Sequence, residues 1–109
     1  RRSMDLVEQV YELTRAFPRQ EEYRLTSQLV RAIVSVPANI AEGQRRSTRK
    51  DYANFVGIAH GSLAEVETLL LIAGRIKLAS SETLKPLLDS ADELSRMLNA
   101  MRNRLASVK

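Results

Sequence analysis

The chain has 109 residues, enough for one domain, with 17 basic and 13 acidic side chains, a net charge of +4 and no cysteine. Without thiols there can be no disulfide framework, cysteine-ligated zinc or thiol catalysis. Four glycines, three prolines and five aromatic residues are too few for the turns and β-favouring side chains of a sheet protein of this size, so the composition reads as all-α.

At 12.3 kDa, surface scaling gives a folded area of about 6,100 Å² against about 17,800 Å² for the open chain, which permits a core without covalent staples. No linker, repeat or low-complexity tract divides residues 1–109, so a single domain is expected. The first helix is predicted from about Ser3 to Phe17, with Leu6, Val10, Leu13 and Phe17 on one face. Pro18 ends it, because the residue before a proline is pushed out of helical geometry, and Pro18 can then open the second helix. That helix carries Leu25, Leu29, Ile33, Val36 and Ile40 on its apolar face, and Gly43 is the expected C-terminal cap. Pro37 lies inside it. The missing amide and the clash with the Ile33 carbonyl predict a kink, with Ser35 and Asn39 available to satisfy the freed carbonyl.

Thr48-Arg49-Lys50-Asp51 reads as a capping box opening the third helix, which continues through Tyr52, Phe55, Ala59, Leu63, Val66 and Leu70 to about Ile76. Ser80 or Ser81 starts the fourth helix. There Leu84, Leu87, Ala91, Leu94, Leu98, Met101, Leu105 and Val108 alternate spacings of three and four, the seam of a bundle. Four helices with short connections predict an antiparallel up-down four-helix bundle. Leu69-Leu70-Leu71-Ile72 spreads large apolar side chains over about 300° of the third helix, more than one core stripe uses. Leu69, Leu71 and Ile72 are therefore expected at an interface between copies of a homo-oligomer.

Phe17-Pro18, Leu25-Thr26-Ser27-Gln28, Arg31-Ala32 and Ser35-Val36-Pro37-Ala38-Asn39-Ile40-Ala41-Glu42-Gly43, followed by Phe55, Ile58-Ala59, Gly61-Ser62 and Glu65, resemble the bacterial four-helix-bundle family named after intervening sequences in 23S ribosomal RNA genes. The resemblance covers about residues 4–105. It implies an antiparallel bundle assembled as a ring-shaped homopentamer. A related group accompanies diversity-generating retroelements, as basic pentameric barrels that bind RNA and the element's reverse transcriptase. The resemblance brings no catalytic residue with it.

The charge excess is local. Residues 1–50 hold ten basic and six acidic side chains, and residues 51–109 hold seven of each. Arg45, Arg46, Arg49 and Lys50 crowd the N-terminus of the third helix, where the macrodipole favours anions and each cation costs about 0.3–1 kcal/mol at low salt. A phosphate would meet free helix amides and guanidinium groups together, so these four are the candidate nucleic-acid contacts; a merely solvated loop is the alternative. Five copies at +4 each would carry +20 and repeat the patch, adding avidity. The aromatics (Tyr11, Phe17, Tyr23, Tyr52 and Phe55) fall mostly on expected buried faces or beside breaks, so binding should be backbone-led, without a base-stacking platform.

Asn39, Glu42 and Glu65 are read as structural, supporting the break at Pro37. His60 lacks any metal-ligand context and is placed on a helix flank or subunit contact. Gly57 and Gly61, with Ala53 and Ala64, predict close approach of another helix near the bend. Arg75 and Lys77 suit a helix C-terminus, and Arg96, Arg102 and Arg104 fall outside the seam, so none is assigned a functional role. No apolar run reaches the roughly 18 residues of a membrane span and no secretory signal is visible, so a cytoplasmic protein is expected. No nucleophile–base pair, metal cluster or phosphate-cradling glycine loop appears. The expectation is a non-enzymatic nucleic-acid-binding accessory protein that needs no cofactor, metal or membrane and prefers RNA. The alternative is a protein-binding adaptor or scaffold docking an acidic or polymerase-like partner.

Overall fold

The structure, a computed structural model, describes residues 2–107. Four long helices carry the fold: α1 (Arg2–Arg15), α2 (Ser27–Gln44), α3 (Arg49–Arg75) and α4 (Ser81–Ser107). No strand occurs among the described residues.

The start of each long helix follows from local chemistry. Thr48 is extended, and its side-chain oxygen accepts from the Asp51 amide at 3.0 Å, the capping geometry expected of this sequence. Ser80 does the same for α4, accepting from the Thr83 amide at 3.1 Å, and Pro86 is accommodated inside that helix. The end of α3 is closed by amide-to-carbonyl bonds from Leu78 to Ala73 and from Lys77 to Gly74. Lys77 takes φ = 67° there, a left-handed position that usually falls to glycine.

The segment between α1 and α2 differs from expectation. Phe17 is buried but lies beyond the last helical residue of α1. Pro18 begins a single 3₁₀ turn, Arg19–Glu21, followed by a wide π-helical turn, Glu22–Thr26. Arg24 leaves helical geometry there, at φ −116° and ψ −108°. Gly43 is not the cap either. α2 runs on to Gln44 with Arg45 as its C-cap, and Gly43 is a buried helical residue. A Cβ at Gly43 would stand 2.9 Å from Phe55 Cβ and 2.9 Å from Tyr52 Cδ1, so glycine is needed for close approach of α3 rather than for a turn. Pro37 sits inside α2 without ending it. Asn39 Nδ2 donates to the Ser35 carbonyl and to Ser35 Oγ, both at 2.8 Å, so its bonds do not go to the Ile33 carbonyl.

The core is one continuous cluster. Leu6 and Val10 of α1, Leu29, Ile33 and Val36 of α2, Val56, Leu63, Val66 and Leu70 of α3, and Leu94 and Leu98 of α4 are buried together. Burying each Leu or Ile side chain is worth about 1.5–3 kcal/mol relative to leaving it exposed. Val108, the last residue of the expected α4 seam, lies outside the described residues. Contacts between helices link Gly43 to Phe55 and Ser35 to Ser62, then Tyr52 to Met101, His60 to Ser95 and Gly74 to Leu84.

Two expectations about α3 change. Leu69 is only 6% exposed and belongs to the core, so it offers no surface to a second copy. Leu71 and Ile72 do face outward, at 56% and 40% exposure. By length and composition α3 is also long and apolar enough to cross a membrane, with an 18-residue window of mean hydropathy 1.5; scanning for unbroken apolar runs misses it, because small and polar residues dilute the run. In this fold one face of α3 lies in the core between α2 and α4.

Candidate nucleic-acid interface

The expected patch divides into two parts. Arg46 turns back onto α2: its Nη2 pairs with Glu42 Oε2 at 2.7 Å, and its guanidinium carbon lies 4.6 Å from the centre of the Phe55 ring. The Glu42 carboxylate and the ring face both occupy it, which removes Arg46 from the free cations. Arg45 is exposed and unpaired among the described residues.

Arg49 and Lys50 lean the other way, towards α4. Arg49 Nη2 donates to the Arg104 carbonyl at 3.3 Å. Arg49, Lys50 and Asn54 of α3 face Arg102 of α4 across a cleft of about 380 Å³, with Ala53 and Leu105 in its wall. Arg102 reaches this position over Gly57, where a Cβ would lie 3.3 Å from its Nε. Gly57 therefore admits an arginine side chain from α4 rather than the backbone of another helix. Gly61, its partner in the expected motif, is exposed and has nothing within 4 Å of a Cβ position.

Arg102 and Arg104, assigned no role from the sequence, therefore join the patch. The missed signal is compositional: from Leu94 to Lys109 there is no acidic residue, and none between Gly43 and Lys50. The fold brings these two stretches to the same end of the bundle. Arg2 reaches that end as well, beside a larger, mainly apolar cavity of about 570 Å³ over Ile40, Met97 and Met101, but it is paired with Glu93. Elsewhere on the surface Arg15, Arg24, Lys85 and Arg96 each have a carboxylate partner, while Arg19, Arg31, Arg75 and Lys77, none of which lines that cleft, are without one among the described residues. Arg49, Lys50, Arg102 and Arg104 have none among the described residues. Like charges held about 8 Å apart in water repel by roughly 0.5 kcal/mol per pair, so the cluster gains nothing in stability from being gathered without counter-charge.

The remaining motif residues divide: Asn39 and Ser62 make structural contacts beside Pro37, whereas Glu42 pairs with Arg46 instead of supporting the break there, and Glu65 does not support it either. Ser35 Oγ and Ser62 Oγ share a hydrogen bond of 2.9 Å joining α2 to α3, with Asn39 donating into the same pair. Glu65 is exposed and makes no ion pair among the described residues. His60 Nε2 lies 3.0 Å from Ser95 Oγ on the α3–α4 flank. Nearby, burial foremost and the Asp92 carboxylate second push the Glu67 carboxyl above its ordinary range, while His60 pulls it down. No cluster of three or more metal-ligating side chains occurs among the described residues. Tyr11 is exposed, at 45%, and departs from the expectation for the aromatics; Tyr23, at 89%, lies in the irregular turn between α1 and α2, and Tyr52 and Phe55, near the basic end, are half-buried.

A model of the 23S rRNA-intervening sequence proteins matches residues 1–100. The chain belongs to that family. Among solved structures, one of a protein of unknown function from the S23 ribosomal protein family of Bacteroides thetaiotaomicron is similar, with a TM-score of 0.86 at 22% identity over 93% of this chain and 94% of that one. This likeness establishes the shared family fold of packed helices. A comparison with curated proteins gives no match.

Proposed function

We propose that this member of the family is a cytoplasmic, non-enzymatic, homo-oligomeric accessory protein that binds nucleic acid through the basic end of an antiparallel up-down bundle. The observation that carries the reading is the set of cations without carboxylate partners among the described residues, Arg49, Lys50, Arg102 and Arg104, which the start of α3 and the end of α4 bring together, with Arg45 at the neighbouring end of α2. The phosphate backbone is the ligand that suits uncompensated Arg and Lys at a helix N-terminus. RNA is placed before DNA because the family's description ties its members to 23S rRNA intervening sequences. The antiparallel arrangement is supported by the helix pairings, since Tyr52 meets Met101, His60 meets Ser95 and Gly74 meets Leu84 in descending order along α4.

Self-association is supported by exposed Val34, Ile58, Leu71, Ile72 and Ile76. The protomer also exposes 7131 Å², against about 6,100 Å² expected of a compact monomer of its mass. A ring of five is the stoichiometry implied by the family resemblance, with the bend at Pro37 as part of each protomer's shape.

The test is a salt titration of binding to a labelled structured RNA, using the wild type, a triple variant R49Q/K50Q/R102Q, and R46Q. Wild-type affinity should fall log-linearly with salt, and the triple variant should show a slope shallower by about two to three units, at roughly 0.7–0.9 for each phosphate no longer neutralised. R46Q should leave the slope unchanged. Equal slopes for the wild type and the triple variant would move the RNA surface elsewhere. No binding even at low salt would overturn the nucleic-acid reading and leave an adaptor docking an acidic protein through the same cations.

A further inference from the structure

The cleft between the first turn of α3 and the last turns of α4 has a sharper property than general positive charge. Three cations from two helices, Arg49, Lys50 and Arg102, line one space of about 380 Å³, and among the described residues no carboxylate lines it. That volume falls within the roughly 300–1,000 Å³ of small-ligand sites. Two of the three side chains are held by contacts that leave their charge uncompensated: Arg49 by the Arg104 carbonyl at 3.3 Å, and Arg102 by lying across Gly57. The Asp51 amide is taken by Thr48 Oγ1, but the amides of Arg49 and Lys50, ahead of it in the same turn, have no partner within the helix.

The charge count discriminates between ligands. An internal phosphodiester brings one negative charge and needs an open track on both sides. A phosphate monoester brings nearly two at neutral pH, presents three terminal oxygens, and matches three cationic donors lining one cleft far better. Asn54 adds a neutral side-chain donor and Leu105 an apolar wall for the attached sugar. We propose that this cleft is a phosphate-monoester site that takes the terminal phosphate of a nucleic-acid strand. The inference rests on the nucleic-acid reading above and adds end recognition to it.

The experiment compares two short RNAs of one sequence, one bearing a 5′-phosphate and one a 5′-hydroxyl, each labelled at the 3′ end. Binding to the full chain is followed by fluorescence anisotropy at fixed salt. The wild type should favour the phosphorylated strand by about tenfold or more, as a charge-assisted hydrogen-bond set implies. Arg102→Gln should close that gap. Gly57→Ala should narrow it slightly, because a Cβ there stands 3.3 Å from Arg102 Nε and makes that side chain shift by a few tenths of an ångström, and circular dichroism checks that both variants remain folded. Arg45→Gln, outside the cleft, should weaken both strands equally. Inorganic phosphate should compete with the phosphorylated strand more strongly than chloride of equal ionic strength.

Equal wild-type affinity for the two strands would overturn the terminal-phosphate site and leave backbone binding standing. A gap that persists in Arg102→Gln would also overturn the assignment to this cleft. Failure of both strands to bind would overturn this inference and the nucleic-acid reading together.

Discussion

Replacing Gly43 with alanine tests whether the contact between α2 and α3 is as close as the fold requires. The new Cβ would lie 2.9 Å from Phe55 Cβ, 2.9 Å from Tyr52 Cδ1 and 3.3 Å from the Tyr52 carbonyl oxygen. Carbon atoms pack best at about 3.5–4.0 Å, so the overlap is roughly 0.6 Å or more. Phe55 Cβ is one bond from the backbone and the Tyr52 carbonyl is part of it, so neither can rotate away and the helices must separate. Overpacking of this kind costs about 1–3 kcal/mol, and the gain in helix propensity returns about 0.8–1.0 kcal/mol. The expected result is a net loss near 1 kcal/mol, a fall in Tm of about 4–8 °C for a domain of this size.

Gly61→Ala is the matched control. It receives the same propensity gain with nothing within 4 Å, so its Tm should rise by a similar amount. Both are read by thermal circular dichroism at equal protein concentration, since association makes Tm concentration-dependent. Gly43→Ala melting at or above the wild type would refute the close-approach reasoning. A fall for Gly61→Ala that deepens as the protein is concentrated would instead place a second copy on that face of α3.

Two further outcomes follow from the same geometry. Thr48→Ala removes the acceptor for the Asp51 amide and should cost about 1 kcal/mol, measured by urea unfolding; an unchanged midpoint would mean the cap contributes nothing. Glu67 carries a carboxyl pushed upward by burial and by Asp92, so the folded state holds its proton more tightly than the unfolded chain does. Stability from this group is therefore lost as pH rises from the ordinary glutamate range through the raised value. Glu67→Gln should melt higher than the wild type at about pH 7, with the difference shrinking towards about pH 4, and a pH-independent difference would sink that account.

Much of the scaffold is legible along the chain. Thr48 and Ser80 mark helix starts because a hydroxyl that caps an amide three residues on needs nothing from the rest of the protein. The apolar spacing of Leu84, Leu87, Ala91, Leu94 and Leu98 names the buried face of α4 for the same reason. Gly43 misleads because a glycine near the end of a helical pattern suits a cap equally well, and only Tyr52 and Phe55 of α3 distinguish the two roles. Leu69 misleads because four consecutive large apolar residues do not reveal which of them the neighbouring helices will cover.

The candidate site is half legible. Arg49 and Lys50 stand out locally, since cations at a helix N-terminus oppose the dipole. Arg46 stands in the same run, yet its charge is taken by Glu42 and the Phe55 ring. Arg102 looks like any solvent-facing residue outside an apolar seam until Gly57 opens the space it occupies. Helix starts such as those at Thr48 and Ser80, and the buried face of α4, are thus determined by the sequence itself, through interactions that span three or four residues. The basic cleft is decided by tertiary structure alone, because its cations lie some fifty residues apart and electrostatic potential depends on separation in space, not along the chain.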